Sequence, residues 1–155
     1  MKKIITPIYI IGASYIVPKA RPRTPRSGKG RVCLPKNYIR SQKQLSSIFK
    51  ALEYNFIDVN GCSKYPFDYP ISLTFSYTQN RGDADNIGGA ILDAMVKSGM
   101  IKDDSKKYVP DATFQWFDSL DIIHPGATWV LEIRKDADKD RLDALQSRLS
   151  EATQL

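Results

Sequence analysis

The residues best able to do chemistry are concentrated in Arg81-Gly-Asp-Ala-Asp-Asn86, where Asp83 and Asp85 stand two positions apart. In an extended segment alternate side chains project to the same side, so carboxylates at this spacing repel unless a cation lies between them. A second acidic pair, Asp103-Asp104, follows downstream. All-oxygen ligation by such groups suits hard divalent cations, Mg2+ first and Mn2+ as the alternative. With one histidine and two distant cysteines, Cys33 and Cys62, a structural zinc site has too few ligands. The chemistry that uses a carboxylate-bound hard cation on a polyanion is phosphodiester hydrolysis, in which the ion activates water and neutralises charge at the scissile phosphate. The plainer reading is that these aspartates only turn loops and cap helices, as Asp often does.

The elements around the acidic pairs are legible. Pro70 to Tyr77 alternates strictly, with Ile71, Leu73, Phe75 and Tyr77 on one face, which predicts a strand. A helix is expected from about Asn86 to Lys97, with Ile87, Ala90, Ile91, Ala94 and Met95 on one stripe. Asp85 or Asn86 is its expected N-cap and Gly99 its stop. Asp83 and Asp85 therefore fall at a strand-to-helix passage, where backbone amides also help hold anions. A helix of about a dozen residues spans roughly 18 Å, so Asp104 returns to the pair only if the following loop folds back.

Elsewhere, Ile4 to Ile11 reads as a buried first strand, and residues 38–53 as a helix with Leu45, Ile48, Phe49 and Leu52 on its apolar stripe. Val32 to Leu34 is a candidate short strand, and Asn60-Gly61 marks a turn. Tyr108 to Phe117 and Thr128 to Arg134 are expected strands. The last helix, 138–152, carries Leu142, Leu145, Leu149 and Ala152 on one side. This order predicts an α+β fold in a single domain, with helices packed on an antiparallel or mixed sheet. Residues 1–135 form the main unit, and 136–155 a terminal helix that joins the same domain or a dimer contact.

The charge is divided along the chain. Of 23 Lys and Arg, 12 lie in residues 1–50, which hold no Asp or Glu; residues 51–155 hold the other 11 with all 17 acids. The first part is +12 and the rest −6. A polyanion partner for the first part fits that split. Lys19 to Arg31 concentrates the effect: six of its 13 residues are cationic and four more are Pro or Gly, which reads as a loop or arm. Lys19, Arg21, Arg23, Arg26, Lys29, Arg31 and Lys36 are the expected phosphate-binding residues. Pro22 and Pro25 limit the entropy lost when such an arm docks.

Two cysteines imply no disulfide framework and fit a reducing cytoplasm. The Met1-Lys2-Lys3 start followed by apolar residues is interrupted by Pro7 and diluted by Thr6, Tyr9 and Ser14, which argues against a signal peptide. The run is also too short for a membrane span.

Gly82-Asp-Ala-Asp-Asn-Ile87, Ala90-Ile-Leu-Asp-Ala-Met95 and Gly99-Met-Ile-Lys-Asp-Asp104 together resemble the core signature of RusA-type Holliday-junction resolvases. Lys19-Ala-Arg-Pro-Arg23, Gly30-Arg-Val32, Pro35-Lys36 and Tyr38 are similar to that family's N-terminal segment. The resemblance covers roughly residues 5–135, with two separated motifs in the right order. It implies a RusA-like fold and a homodimer that cleaves four-way DNA junctions in recombination and repair. It also implies Mg2+ held by three aspartates, which match Asp83, Asp85 and Asp104. A bacterial or phage-encoded protein is the implied source.

One position departs from the pattern. The family usually carries a catalytic lysine four residues after the second aspartate, and Gly89 stands there, after Gly88. Two glycines in the first turns of a helix cost about 1 kcal/mol each relative to Ala, which a close approach of DNA backbone or another chain would rationalise. Lys102, next to Asp103-Asp104, is the expected catalytic substitute, ahead of Lys97 and Arg81. Without a substitute, the resemblance implies a catalytically weak or inactive binder of branched DNA. A basic RNA- or protein-binding module with incidental aspartates is the third reading. Asp93 is expected to be a salt-bridge partner more than a support for the metal. His124, before Pro125-Gly126, reads as a turn residue, and Trp116 and Phe117 as core or interface. Tyr38 suits either DNA contact or packing on the following helix.

Overall fold

The computed structural model describes residues 7–19, 34–56 and 64–153. Arg21, Arg23, Arg26, Lys29 and Arg31, the expected strand at 32–34 in its first two residues, and the Asn60-Gly61 turn lie outside them.

Among the described residues four strands form one sheet: β1 (Ile8–Gly12), β2 (Ile71–Tyr77), β3 (Asp111–Trp116) and β4 (Trp129–Lys135). Their order across the sheet is β1-β4-β2-β3. β4 runs antiparallel to both β1 and β2, while β2 and β3 are parallel, so the sheet is mixed. Three α-helices among the described residues accompany it: α1 (Lys36–Ala51), α2 (Ala84–Lys97) and α3 (Asp138–Thr153). The expected α+β class is the observed one.

The alternation in β2 does what period-two patterning requires. Ile71, Leu73 and Phe75 are wholly buried, beside Leu131 and Ile133 of β4. α1 and α2 cover this face and pack on each other. α2 contributes Ile87, Ala90, Ile91, Ala94 and Met95, all with no exposed surface. α1 contributes Tyr38, Leu45 and Phe49. Full burial of each large side chain contributes about 1.5–3 kcal/mol, so these helix and sheet faces hold one core together.

The α1 stripe differs from expectation at one position. Ile48 is 41% exposed, and the buried face instead runs Tyr38, Gln42, Leu45, Phe49. Gln42 is accepted there because its Nε2 donates to the Ala90 carbonyl of α2 at 2.9 Å. The helix ends in a short 3-10 turn, Leu52–Asn55.

α3 is attached differently. No residue in it is buried, and Leu142, Leu145 and Leu149 are all exposed. Its first turn is held by charge. Asp136 accepts from Ser72 Oγ of β2 at 2.7 Å and from Arg141 at 2.7 and 3.1 Å. Arg141 also pairs with Asp138.

Candidate functional site

The carboxylate pair sits where β2 hands over to α2. Gly82 makes the corner with φ +96°, a conformation that L side chains rarely adopt. Asp83 is the N-cap residue of α2, and Asp85 is the acid of its first turn. The helix begins earlier than the expected Asp85 or Asn86 cap. Asp83 has extended backbone geometry, but its side chain makes no cap hydrogen bond. Neither Asp83 nor Asp85 forms an ion pair or side-chain hydrogen bond with another described residue, and both are exposed. Two exposed carboxylates without side-chain partners among the described residues can accept a hard cation or a hydrogen-bond donor, with the positive end of the helix dipole opposing the cation.

Asp104 lies elsewhere. The chain leaves α2 at Gly99 (φ +80°) and runs toward the start of β2. There Phe67 donates its N–H to the Met100 carbonyl, and Ile71 donates to Tyr108. Asp83 and Asp85 occupy the opposite end of that strand. The 14 residues of α2 separate the two groups by about 21 Å. The loop thus does not fold back, and the expected triad of Asp83, Asp85 and Asp104 does not assemble within one chain. Among the described residues no three His, Cys, Asp or Glu side chains stand close enough to hold a metal ion. The two neighbouring aspartates of the loop have different surroundings. Asp103 accepts the Ser105 N–H at 2.7 Å, and hydrogen bonding from Ser105 lowers its pKa below the ordinary value. Among the described residues Asp104 has no such partner. Lys102 is exposed at this same far end, so in one chain it cannot stand in for a cation beside Asp83 and Asp85.

Of the segment that leads into the basic arm, sequence reasoning singled out only Lys19, for phosphate contact. Residues 16–19 cross the β2–α2 corner as a strap. Gln79 fixes its start, accepting from Ile16 N–H at 3.0 Å and donating to the Ile16 carbonyl at 2.8 Å. Pro18 packs against Gly82, where an added Cβ would meet its Cγ at 2.4 Å. Lys19 N–H donates to the Asn86 carbonyl at 2.8 Å. The Lys19 stem then passes Gly89, where an added Cβ would meet its Cδ at 2.9 Å, and Nζ reaches Asp93 Oδ1 at 3.1 Å.

Asp93 is shared. Tyr38 of α1 donates its hydroxyl to Oδ2 at 2.6 Å. Burial, then that bond and the carboxylate's charge, push the Tyr38 hydroxyl above its ordinary range, so it remains a donor. Lys97 Nζ lies over the Tyr38 ring, 5.9 Å from its centroid. Asp93 is thus a salt-bridge partner, as expected, and Tyr38 packs between the helices. Lys36 is exposed in the first turn of α1.

The two glycines now have separate explanations. The Phe114 ring of β3 occupies the space at Gly88, where an added Cβ would come within 2.3 Å. Gly89 is approached by Lys19. Both contacts are intramolecular. A helical Gly costs about 1 kcal/mol against Ala. A half-exposed ion pair such as Lys19–Asp93 returns about 0–1 kcal/mol. Phe114 packing offsets the cost at Gly88; the ion pair alone barely does so at Gly89.

At the same end of the sheet, Trp116 and Phe117 are 49% and 42% exposed, so the core reading does not hold for them. Trp116 Nε1 donates to the Thr78 carbonyl at 3.2 Å. His124 closes a turn, accepting from Ala127 N–H and donating to Leu120 through its backbone.

A family model described as endodeoxyribonuclease RusA matches residues 15–115, well over half of the chain. The chain belongs to the RusA endodeoxyribonuclease family. The match opens at the strap and closes within β3, and so contains both aspartate groups, α1 and α2. Membership makes DNA the substrate class. No curated protein matches the chain. No helix among the described residues is long and apolar enough to cross a membrane.

Proposed function

We propose that this RusA-family protein is a metal-dependent endonuclease that resolves four-way DNA junctions. The observation that carries the reading is the uncapped Asp83/Asp85 pair at the head of α2, in a chain matched by the endodeoxyribonuclease family. Asp83 and Asp85 supply two carboxylates to Mg2+ or Mn2+. A bound ion of this kind supplies water activation and charge neutralisation at the scissile phosphate. Asp104 does not reach that ion in its own chain, so it serves as the third ligand only when a second copy presents it. A two-fold homodimer therefore fits the site, and it mirrors the symmetry of a four-way junction. Lys19 and Lys36, together with Arg21, Arg23, Arg26, Lys29 and Arg31, hold the DNA backbone. The family's lysine position being Gly89 leaves a second reading, a branched-DNA binder that cleaves slowly or not at all.

The test uses a synthetic four-way junction and a linear duplex of the same sequence, each with Mg2+, Mn2+ or EDTA. Paired, metal-dependent nicks confined to the junction are the expected result. Tight junction binding without nicks under either metal supports the second reading. Equal weak binding to both DNAs overturns junction specificity. Asp83→Asn is expected to abolish nicking and keep or improve binding, because it removes a negative charge near phosphates.

A further inference from the structure

The acidic end of α2 lacks a cation on the helix itself. One reaches the helix from outside, entering at Asn86 and ending on Asp93. Lys19 is fixed at three points: its N–H on the Asn86 carbonyl, its stem along Gly89, and its ammonium on Asp93. We propose that Lys19 is the phosphate-engaging cation that serves the Asp83/Asp85 site from the Gly89 face of α2, with Asp93 and Tyr38 as its positioning residues and Gly89 as the gap that admits it. This deepens the endonuclease reading and rests on it.

Four observations support the assignment. The strap brings the Lys19 backbone past Gly82 and Asn86, the residues that flank the aspartate pair in sequence, while its ammonium rests on Asp93, about 12 Å further along α2 from Asp85. Any side chain at 89 would compete with the Lys19 stem, and glycine leaves that path open. The ion pair is too exposed for stability to account for a helical glycine, which leaves positioning as its use. Asp93 itself is held by Tyr38, whose hydroxyl occupies Oδ2 and leaves Oδ1 for the ammonium. An ammonium carries three donors, and Asp93 takes one, so donors remain for a phosphate oxygen. Lys102, tied to the far end of α2, has no comparable route within the chain.

The experiment compares the unaltered chain with Lys19→Met, Lys19→Ala and the double variant Lys19→Ala with Gly89→Lys. Met keeps the stem along Gly89 and removes only the charge. The double variant moves the cation onto the helix through the space that Lys19 vacates. Junction nicking, junction affinity across a salt series and melting temperature are read for each. Lys19→Met is expected to slow nicking by about 100-fold, as loss of one transition-state donor does, with melting unchanged. It is also expected to lower the salt slope of affinity by about one unit, as loss of one phosphate contact does. The double variant is expected to regain most of both losses seen in Lys19→Ala.

Nicking and salt slope that stay at unaltered values in Lys19→Met overturn the proposal. So does a double variant no better than Lys19→Ala while still folded by its melting profile. If the unaltered chain nicks nothing under either metal, the endonuclease reading fails on its own. The salt slopes then decide Lys19 alone: a unit lost with Lys19→Met and regained in the double variant keeps it as a phosphate contact, and an unchanged slope removes it.

Discussion

Tyr38 and Asp93 join α1 to α2 through a 2.6 Å hydrogen bond at the margin of the core, with Lys19 on the other carboxylate oxygen. One helix thereby orients the acid that holds the strap against the other. Tyr38→Phe keeps the ring in its buried place and removes only the hydroxyl. It is expected to cost about 1–2 kcal/mol, the usual range for a hydrogen bond to a charged group that retains partial solvent contact. Urea denaturation of the two proteins measures the difference. A midpoint unchanged within error would mean the bond contributes nothing net.

The adjacent glycines of α2 are expected to respond with opposite signs. Gly88→Ala drives a methyl into the Phe114 ring and is expected to destabilise by about 1–3 kcal/mol, as overpacking does. Gly89→Ala meets only the flexible Lys19 stem at 2.9 Å, which can move aside. The gain in helix propensity is then retained, and stability is expected to rise by up to about 1 kcal/mol. Thermal unfolding of both variants checks the contrast. Equal losses would show that the strap is as rigid as the β3 packing.

Acid is expected to loosen the α3 anchorage. The Arg141 guanidinium, followed by Ser72, holds the Asp136 carboxyl below its ordinary value of 3.8. A carboxyl whose folded value is depressed stabilises the fold above its unfolded value, and that contribution fades as pH falls through the folded value. The loss therefore falls below about pH 4. Because Arg141 is partly exposed, solvent screening keeps the contribution near about 1 kcal/mol. Asp136→Asn should show a flatter decline in stability between pH 5 and pH 2. Identical pH profiles would remove Asp136 from the acid response.

Complementation between inactive variants tests the shared site. If a second copy supplies Asp104, Asp83→Asn and Asp104→Asn are each inactive alone. Mixed after subunit exchange, they form heterodimers with one site carrying both changes and one intact site. In an equal mixture half the dimers are heterodimers with one intact site each, so the expected result is recovery of up to about a quarter of the unaltered single-strand nicking rate, without paired cuts. No recovery in a mixture shown to have exchanged would place all three aspartates in one chain after rearrangement.

Much of this was legible in sequence because burial imposes periodicity. β2 alternates because one face meets the helices, and α2 repeats because Ile87, Ile91 and Met95 must all face the sheet. α1 was misread at Ile48 since a polar residue, Gln42, takes a core position that only the Ala90 carbonyl makes tolerable. α3 shows the reverse: Leu142, Leu145 and Leu149 have helical spacing, yet ion pairs hold the element and the leucines stay exposed. Asp83 and Asp85 were readable because two residues of separation fix their neighbourhood. Asp104 was not, because the direction of a loop after a helix depends on where Phe67 and Ile71 take hold of it. The role of Lys19 depends on contacts with residues some 70 positions away, to which local pattern is blind.

The corner at Gly82 constrains what sequence drift can do here. Position 82 is closed to other residues twice over, once by its positive φ and once by Pro18 against its α-carbon. In a saturating mutant library, shrinking Pro18 would relieve only the second barrier, so no single companion change would open the site. Insertions or deletions between β2 and Asp83 would meet the same obstacle. The orientation of the aspartate pair is thus protected by a residue with no side chain and no chemistry of its own.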